Sequence, residues 1–154
     1  MARSILAERL AAHLGAGRIA AFSAGSFPKG AVHPLALAAL DEEDVPRGGV
    51  RSKSWDEFAA PGAPAMDIVL TVCDAAAGET CPIWPGRPAT AHWGIPDPAA
   101  AEGTGAERMD AFRAARAAMR RRIEALLALP FETMDPKTLA VRLKGIGRID
   151  GDPA

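Results

Sequence analysis

Residues 66–73 read Met-Asp-Ile-Val-Leu-Thr-Val-Cys, and the run Ile68-Val69-Leu70-Thr71-Val72 within them is nearly all apolar. A short run of this kind predicts a parallel strand covered on both faces. Working outward, residues 3–14 (RSILAERLAAHL) repeat leucine every four positions at Leu6, Leu10 and Leu14, the spacing of a helix. Gly15 and Gly17 stop it. Arg18 to Ser23 predicts a second short strand, ending at Ala24-Gly25. Residues 33–44 predict a helix with Pro34 in its first turn and Leu37 and Leu40 on its apolar face. Residues 51–59 predict a short helix or turn, and Thr90 to Trp93 another strand. Thr104 and Glu107 have capping-box spacing. The helix they open runs to about Leu129, with Met109, Phe112, Ala115, Met119, Ile123 and Leu126 on one face. Pro130 ends it, and residues 136–144 predict a last short helix. Helices alternating with strands imply an α/β fold, a parallel sheet with helices on both faces. Such domains usually open with a strand, whereas this chain opens inside a helix.

Composition removes several classes of function. The 154 residues carry a net charge of −1, against the excess positive charge of a general nucleic-acid binder. At 49% hydrophobic residues the chain can bury a core and is not disordered. No apolar run approaches a membrane span, and the N-terminus lacks the pattern of a signal peptide. The 2 cysteines do not make a disulfide scaffold. The expectation is a soluble cytoplasmic domain whose cysteines are either inert or chemically active.

The chemistry gathers between residues 74 and 98. Prolines at 82, 85, 88, 96 and 98 forbid most regular structure there. A long loop inside a compact domain is commonly functional. This one starts just past Cys73, at the carboxyl end of the predicted buried strand, where open α/β sheets bind ligands. It holds Cys81, Trp84, His92, Trp93 and Asp97. Three readings of the cysteine pair stand open: two buried small hydrophobes, a zinc site completed by His92, or a redox-active pair in which Cys81 swings toward Cys73. Asp97, between two prolines, is either a turn residue or a general acid on a stiff loop. Arg3 and Ser4 begin the first helix, whose free N–H groups attract anions; Arg3 adds a clamp for a tetrahedral oxyanion. Arg113, Arg116, Arg120 and Arg121 are expected on a solvated helix face.

Taken in order, ARSILAE at 2–8, FSAG at 22–25, HP at 33–34, MDIVLTVCD at 66–74, CP at 81–82 and HWGIPDPA at 92–99 resemble the arsenate reductases built on the low-molecular-weight protein tyrosine phosphatase fold. The resemblance covers residues 2–129, leaving 130–154 as a C-terminal extension. It implies a three-layer, flavodoxin-like α/β/α sheet and an anion loop of pattern Cys-x5-Arg. In the family the loop cysteine attacks arsenate. By resemblance Arg3 binds the oxyanion, Ser4 helps hold that cysteine as thiolate, and Asp97 is the general acid. Cys73 attacks the thiol–arsenate adduct and releases arsenite, Cys81 closes a disulfide with Cys73, and thioredoxin or another thiol reductant reopens it. No bound cofactor, metal, nucleic acid or membrane is implied. Two other functions remain open: a phosphatase of the same fold, or a non-catalytic oxyanion-binding or interaction domain. Cys73 and Cys81 argue against the phosphatase, which needs no resolving pair.

The loop cysteine would lie six residues before Arg3, ahead of Met1, and so would the first, central strand. The expectation is that translation starts upstream of Met1. Without such an extension the chain is truncated and inactive, or has another role. Intact mass and N-terminal sequencing of the protein from its own cells checks this. The expected result is an extension carrying a strand and that cysteine; a chain starting at Met1 would remove the nucleophile.

Overall fold

In the computed structural model, residues 3–24, 32–46, 54, 56–59, 62–63, 65–72 and 88–149 are described. Helix α1 spans Arg3–Gly15, α2 Pro34–Glu42 and the single turn α3 Asp56–Ala59. Strands β1 (Ile68–Thr71) and β2 (Ala89–His92) follow. Then come a 3-10 turn at Pro98–Ala100, the long α4 (Gly105–Leu127), a second 3-10 turn at Phe131–Thr133, and α5 (Pro136–Ile146).

The two strands pair in parallel, with Ile68 opposite Ala89 and Thr71 opposite His92. The ladder continues past both ends, through Ala89 N–H to Asp67 O at 3.0 Å and Trp93 N–H to Thr71 O at 2.7 Å. The fold is α/β, as its alternation implies. Three expectations need correction. Residues 19–24 join no ladder among the described residues. A strand exists only with a partner, and this segment is held instead by a side chain: Ser23 Oγ donates to the buried Glu8 of α1 at 3.0 Å. Secondly, β1 is half-buried along its whole length, not covered throughout. Among the described residues only β2 lies beside it.

The third correction concerns the arginines of α4. Arg113, Arg116 and Arg120 are not simply solvated. Arg113 Nη2 lies 2.6 Å and Arg116 Nη1 2.9 Å from Glu42, Arg116 Nε lies 3.0 Å from Glu43, and Arg120 also pairs with Glu43. Arg116 donates a further bond to Ala39 O at 2.6 Å. The hydrogen bonds from Arg113 and then Arg116 pull the Glu42 carboxyl down to about 2. These pairs stitch α2 to α4 through charges that composition alone shows only as balanced.

One core joins the elements. Ile5, Leu6 and Leu10 of α1, Ala36, Ala39 and Leu40 of α2, and Phe112, Met119 and Ile123 of α4 are buried together. Each large apolar side chain buried here contributes roughly 2 kcal/mol from leaving water. The capping box that opens α4 is present: Thr104 Oγ1 accepts from Glu107 N–H at 3.1 Å, and the Glu107 carboxylate accepts from Thr104 N–H at 3.5 Å. Asp135 caps α5 by accepting from Thr138 N–H at 3.0 Å, with Pro136 in the first turn.

Helix α5 belongs to this core. Its Leu139 and Leu143 are buried in it, and its last turns lie against β2. The buried Trp93 indole N–H donates to Leu143 O at 2.8 Å. At Gly147, just past α5, the chain approaches so closely that a Cβ would sit 2.6 Å from His92 O and 3.1 Å from Trp93 Cδ1. The obstruction is backbone, so it cannot swing aside. Gly147→Ala is therefore expected to destabilise the fold by about 1–3 kcal/mol, the usual cost of overpacking. A fall in the urea midpoint at unchanged slope would report it; an unchanged midpoint would show that α5 does not dock as described.

Candidate active site

Arg3 opens α1, where the first N–H groups of the helix have no partner within it. Its guanidinium reaches across to the loop after β2. Nη1 donates to Ile95 O at 2.9 Å, and Nη2 lies 3.8 Å from Asp97 Oδ2. Ser4 follows in the same first turn, half-buried. Asp97 is held by the turn it caps: its Oδ1 accepts from Ala99 N–H at 3.0 Å at the head of the Pro98–Ala100 turn. The turn reading of Asp97 is thus correct as local geometry. It leaves Oδ2 toward Arg3, with the side chain 44% exposed. Such a carboxyl is open to a ligand bound on the arginine, and the fold brings the two residues together.

A third group was not singled out by spacing. His33 is the N-cap of α2, and its Nδ1 accepts from Leu35 N–H at 3.1 Å. Its ring lies against Phe112, with centroids 4.7 Å apart. Burial, then the positive charge of Arg108, push the imidazole below its ordinary value of 6.5, while Asp97 pulls the other way. The cap itself requires an unprotonated Nδ1. His33 therefore feels both Arg108 and Asp97. The only trace of this in the sequence was the His33-Pro34 pair, a helix start.

Cys73, Cys81 and Trp84 lie outside the described residues. The described chain reaches Val72, one residue short of Cys73, and its last ladder residue is fixed from the side: Thr71 Oγ1 and His92 Nδ1 are 2.7 Å apart. That bond joins the carboxyl ends of β1 and β2. Among the described residues no three His, Cys, Asp or Glu side chains gather as metal ligands. No described helix is long and apolar enough to cross a membrane.

A family profile described as low molecular weight phosphotyrosine protein phosphatase matches residues 1–139. The chain belongs to that family. Within this phosphatase-fold family it is similar to several arsenate reductases. An arsenate reductase of Halalkalibacterium halodurans is 36% identical over 103 residues, 67% of this chain and 70% of that protein. A glutaredoxin arsenate reductase of Synechocystis is 30% identical over 126 residues, 82% of this chain and 88% of that protein. A solved arsenate reductase in its reduced state superposes with a TM-score of 0.62 at 30% identity, covering 82% of this chain and 88% of that one. Another, described as in the phosphate binding state, gives 0.61 with the same coverage. The family match runs through Leu139, ten residues beyond the stretch 2–129 that the resemblance covers.

For the His33 pair of states the sign is fixed. A folded value below 6.5 means that the unfolded chain binds the proton more readily. The stabilisation is complete above 6.5 and is lost as pH falls through the lowered folded value. His33→Asn keeps an N-cap acceptor without the titration. It is expected to flatten the stability profile below pH 6.5. An NMR midpoint for His33 at or above 6.5 in the folded protein would contradict this.

Proposed function

We propose that this protein is an arsenate reductase, which carries two electrons from thiols to arsenate and releases arsenite. The similarity to arsenate reductases in sequence and in fold carries the reading, and the Arg3–Asp97 contact at 3.8 Å supports it. Arg3, at the start of α1, holds the oxyanion with the helix N–H groups. Ser4 steadies the thiolate of the Cys-x5-Arg loop, whose cysteine belongs six residues before Arg3. That thiolate attacks arsenic, and an oxygen leaves as water after taking the proton of Asp97. Cys73 then attacks the sulfur of the adduct. A disulfide forms, the sulfur–arsenic bond breaks, and arsenic leaves as arsenite with the electron pair. Cys81 displaces the loop sulfur, closing the Cys73–Cys81 disulfide and freeing the loop cysteine.

The disulfide must be reopened by a thiol protein. Thioredoxin is the donor the sequence resemblance suggests, and the name of the Synechocystis relative offers glutaredoxin. Each step depends on a thiolate and on access to it, so a reducing cytoplasm is the fitting compartment.

The test uses the form that carries the loop cysteine. Cys73→Ser should retain the arsenate adduct and release no arsenite. Cys81→Ser should release about one arsenite per enzyme and then stall, because the relay ends on an unresolved disulfide. Asp97→Asn should slow the chemical step by about 10²–10⁴-fold, the usual range for a general acid. Unchanged multiple turnover in either cysteine variant would overturn the relay.

A further inference from the structure

The face of α5 turned away from the core combines an apolar groove with cations that no described acid pairs. Leu139 and Leu143 point into the core. On the far side Lys137, Val141 and Lys144 recur at helical spacing, and Arg148 follows in the next turn. Lys137, Arg142, Lys144 and Arg148 are all exposed. Among the described residues none of these four has a carboxylate within ion-pair distance. The described acids of the same stretch are engaged elsewhere, and Asp150 and Asp152 lie outside the described residues. Glu132 lies 2.9 Å from Arg18, and Asp135 caps α5. Elsewhere among the described residues Arg3, Arg9, Arg18, Arg113, Arg116 and Arg120 each have an acid partner, while Arg108 stands exposed as a single cation rather than in a row.

Beside these cations a groove of about 490 Å³ runs between the last turns of α4 and α5. Leu129, Val141, Ile146 and Ile149 wall it, with Arg142 at the rim. Val141 is 69% and Ile149 46% exposed, so apolar surface stands open to water. An apolar side chain flanked by carboxylates would satisfy both features. The surface also has a telling position. Trp93 N–H to Leu143 O and the Gly147–His92 approach fix α5 to the carboxyl end of β2. The Thr71–His92 bond fixes the same end of β1. The carboxyl end of α5, with Lys144 and Arg148, therefore lies beside the end of the sheet from which the chain leads on toward Cys73.

We propose that this face of α5 docks the acidic rim of the thiol protein that reduces the Cys73–Cys81 disulfide. The proposal rests on the arsenate reductase reading and adds to it the donor's binding surface. A thiolate of the donor attacks the disulfide and makes a mixed disulfide. The donor's second thiol then resolves it, leaving the donor oxidised and both cysteines reduced, with two electrons and two protons transferred. Complementary charge speeds the encounter, and salt screens it.

The test oxidises the purified chain and follows reduction of its disulfide by thioredoxin, by glutaredoxin and by dithiothreitol. A variant with Lys137→Glu, Lys144→Glu and Arg148→Glu should react about tenfold or more slowly with the protein donor and lose the salt dependence of that rate. Its reaction with dithiothreitol should not change, and a circular dichroism spectrum matching the parent's shows that the variant is folded. Val141→Asp should slow the protein donor in the same selective way. Equal rates for variant and parent with both protein donors would overturn the proposal. Failure of any Cys73–Cys81 disulfide to form would instead refute the relay. Titration with reduced thioredoxin, and then glutaredoxin, would in that case decide the surface. Amide shifts confined to α5 and the groove would uphold docking. No shifts, or binding only to anionic vesicles or a DNA duplex, would overturn it.

Discussion

A parallel ladder of two four-residue strands cannot stand by itself. Its backbone bonds survive only under apolar cover, and α5 supplies that cover on β2. The indole of Trp93 is the point of attachment. It is buried, and the one polar atom it brings inside is satisfied by Leu143 O. A buried N–H without that acceptor would cost about 1–3 kcal/mol, so the carbonyl and the indole hold each other in place. From there the geometry propagates. β2 sets the register of β1, its exit sets the loop through Ile95 to Asp97, and that loop receives the guanidinium of Arg3.

Parallel pairing has a second effect. Both strands end on the same side, so whatever follows β1 and β2 in sequence starts from one edge. The Thr71–His92 hydrogen bond ties that edge together. Arg3 arrives there from the amino end of α1, where the helix dipole is positive. The proposed oxyanion chemistry needs positive charge and a proton donor within one small volume, and the two residues proposed to supply them, Arg3 and Asp97, are brought together across most of the chain.

What could be read in the sequence was local. The long periodic face of α4, the leucine repeat of α1, the capping box at Thr104 and the prolines at 34 and 130 each act within a few residues, and each element appears where its pattern put it. What failed was pairing. Residues 18–23 have the composition of a strand, but composition cannot supply a neighbouring strand. The arginines of α4 have a helical stripe of their own, while their partners Glu42 and Glu43 lie on another helix. In the same way, motif resemblance marked Arg3 and Asp97 separately. Their contact, the turn that orients Asp97 and the nearness of His33 are products of the fold. The cysteines carry the most chemical weight in the sequence, and their proposed roles rest on resemblance.

The attachment of α5 also makes the molecule a reporter on itself. Indole emission shifts with the polarity around the ring, and Trp93 is 1% exposed with its N–H engaged by α5. Lifting that helix would expose the ring to water and free its N–H at once. With Trp55 and Trp84 replaced, fluorescence from Trp93 thus reads whether the C-terminal helix is seated, and with it whether the loop carrying Asp97 is anchored.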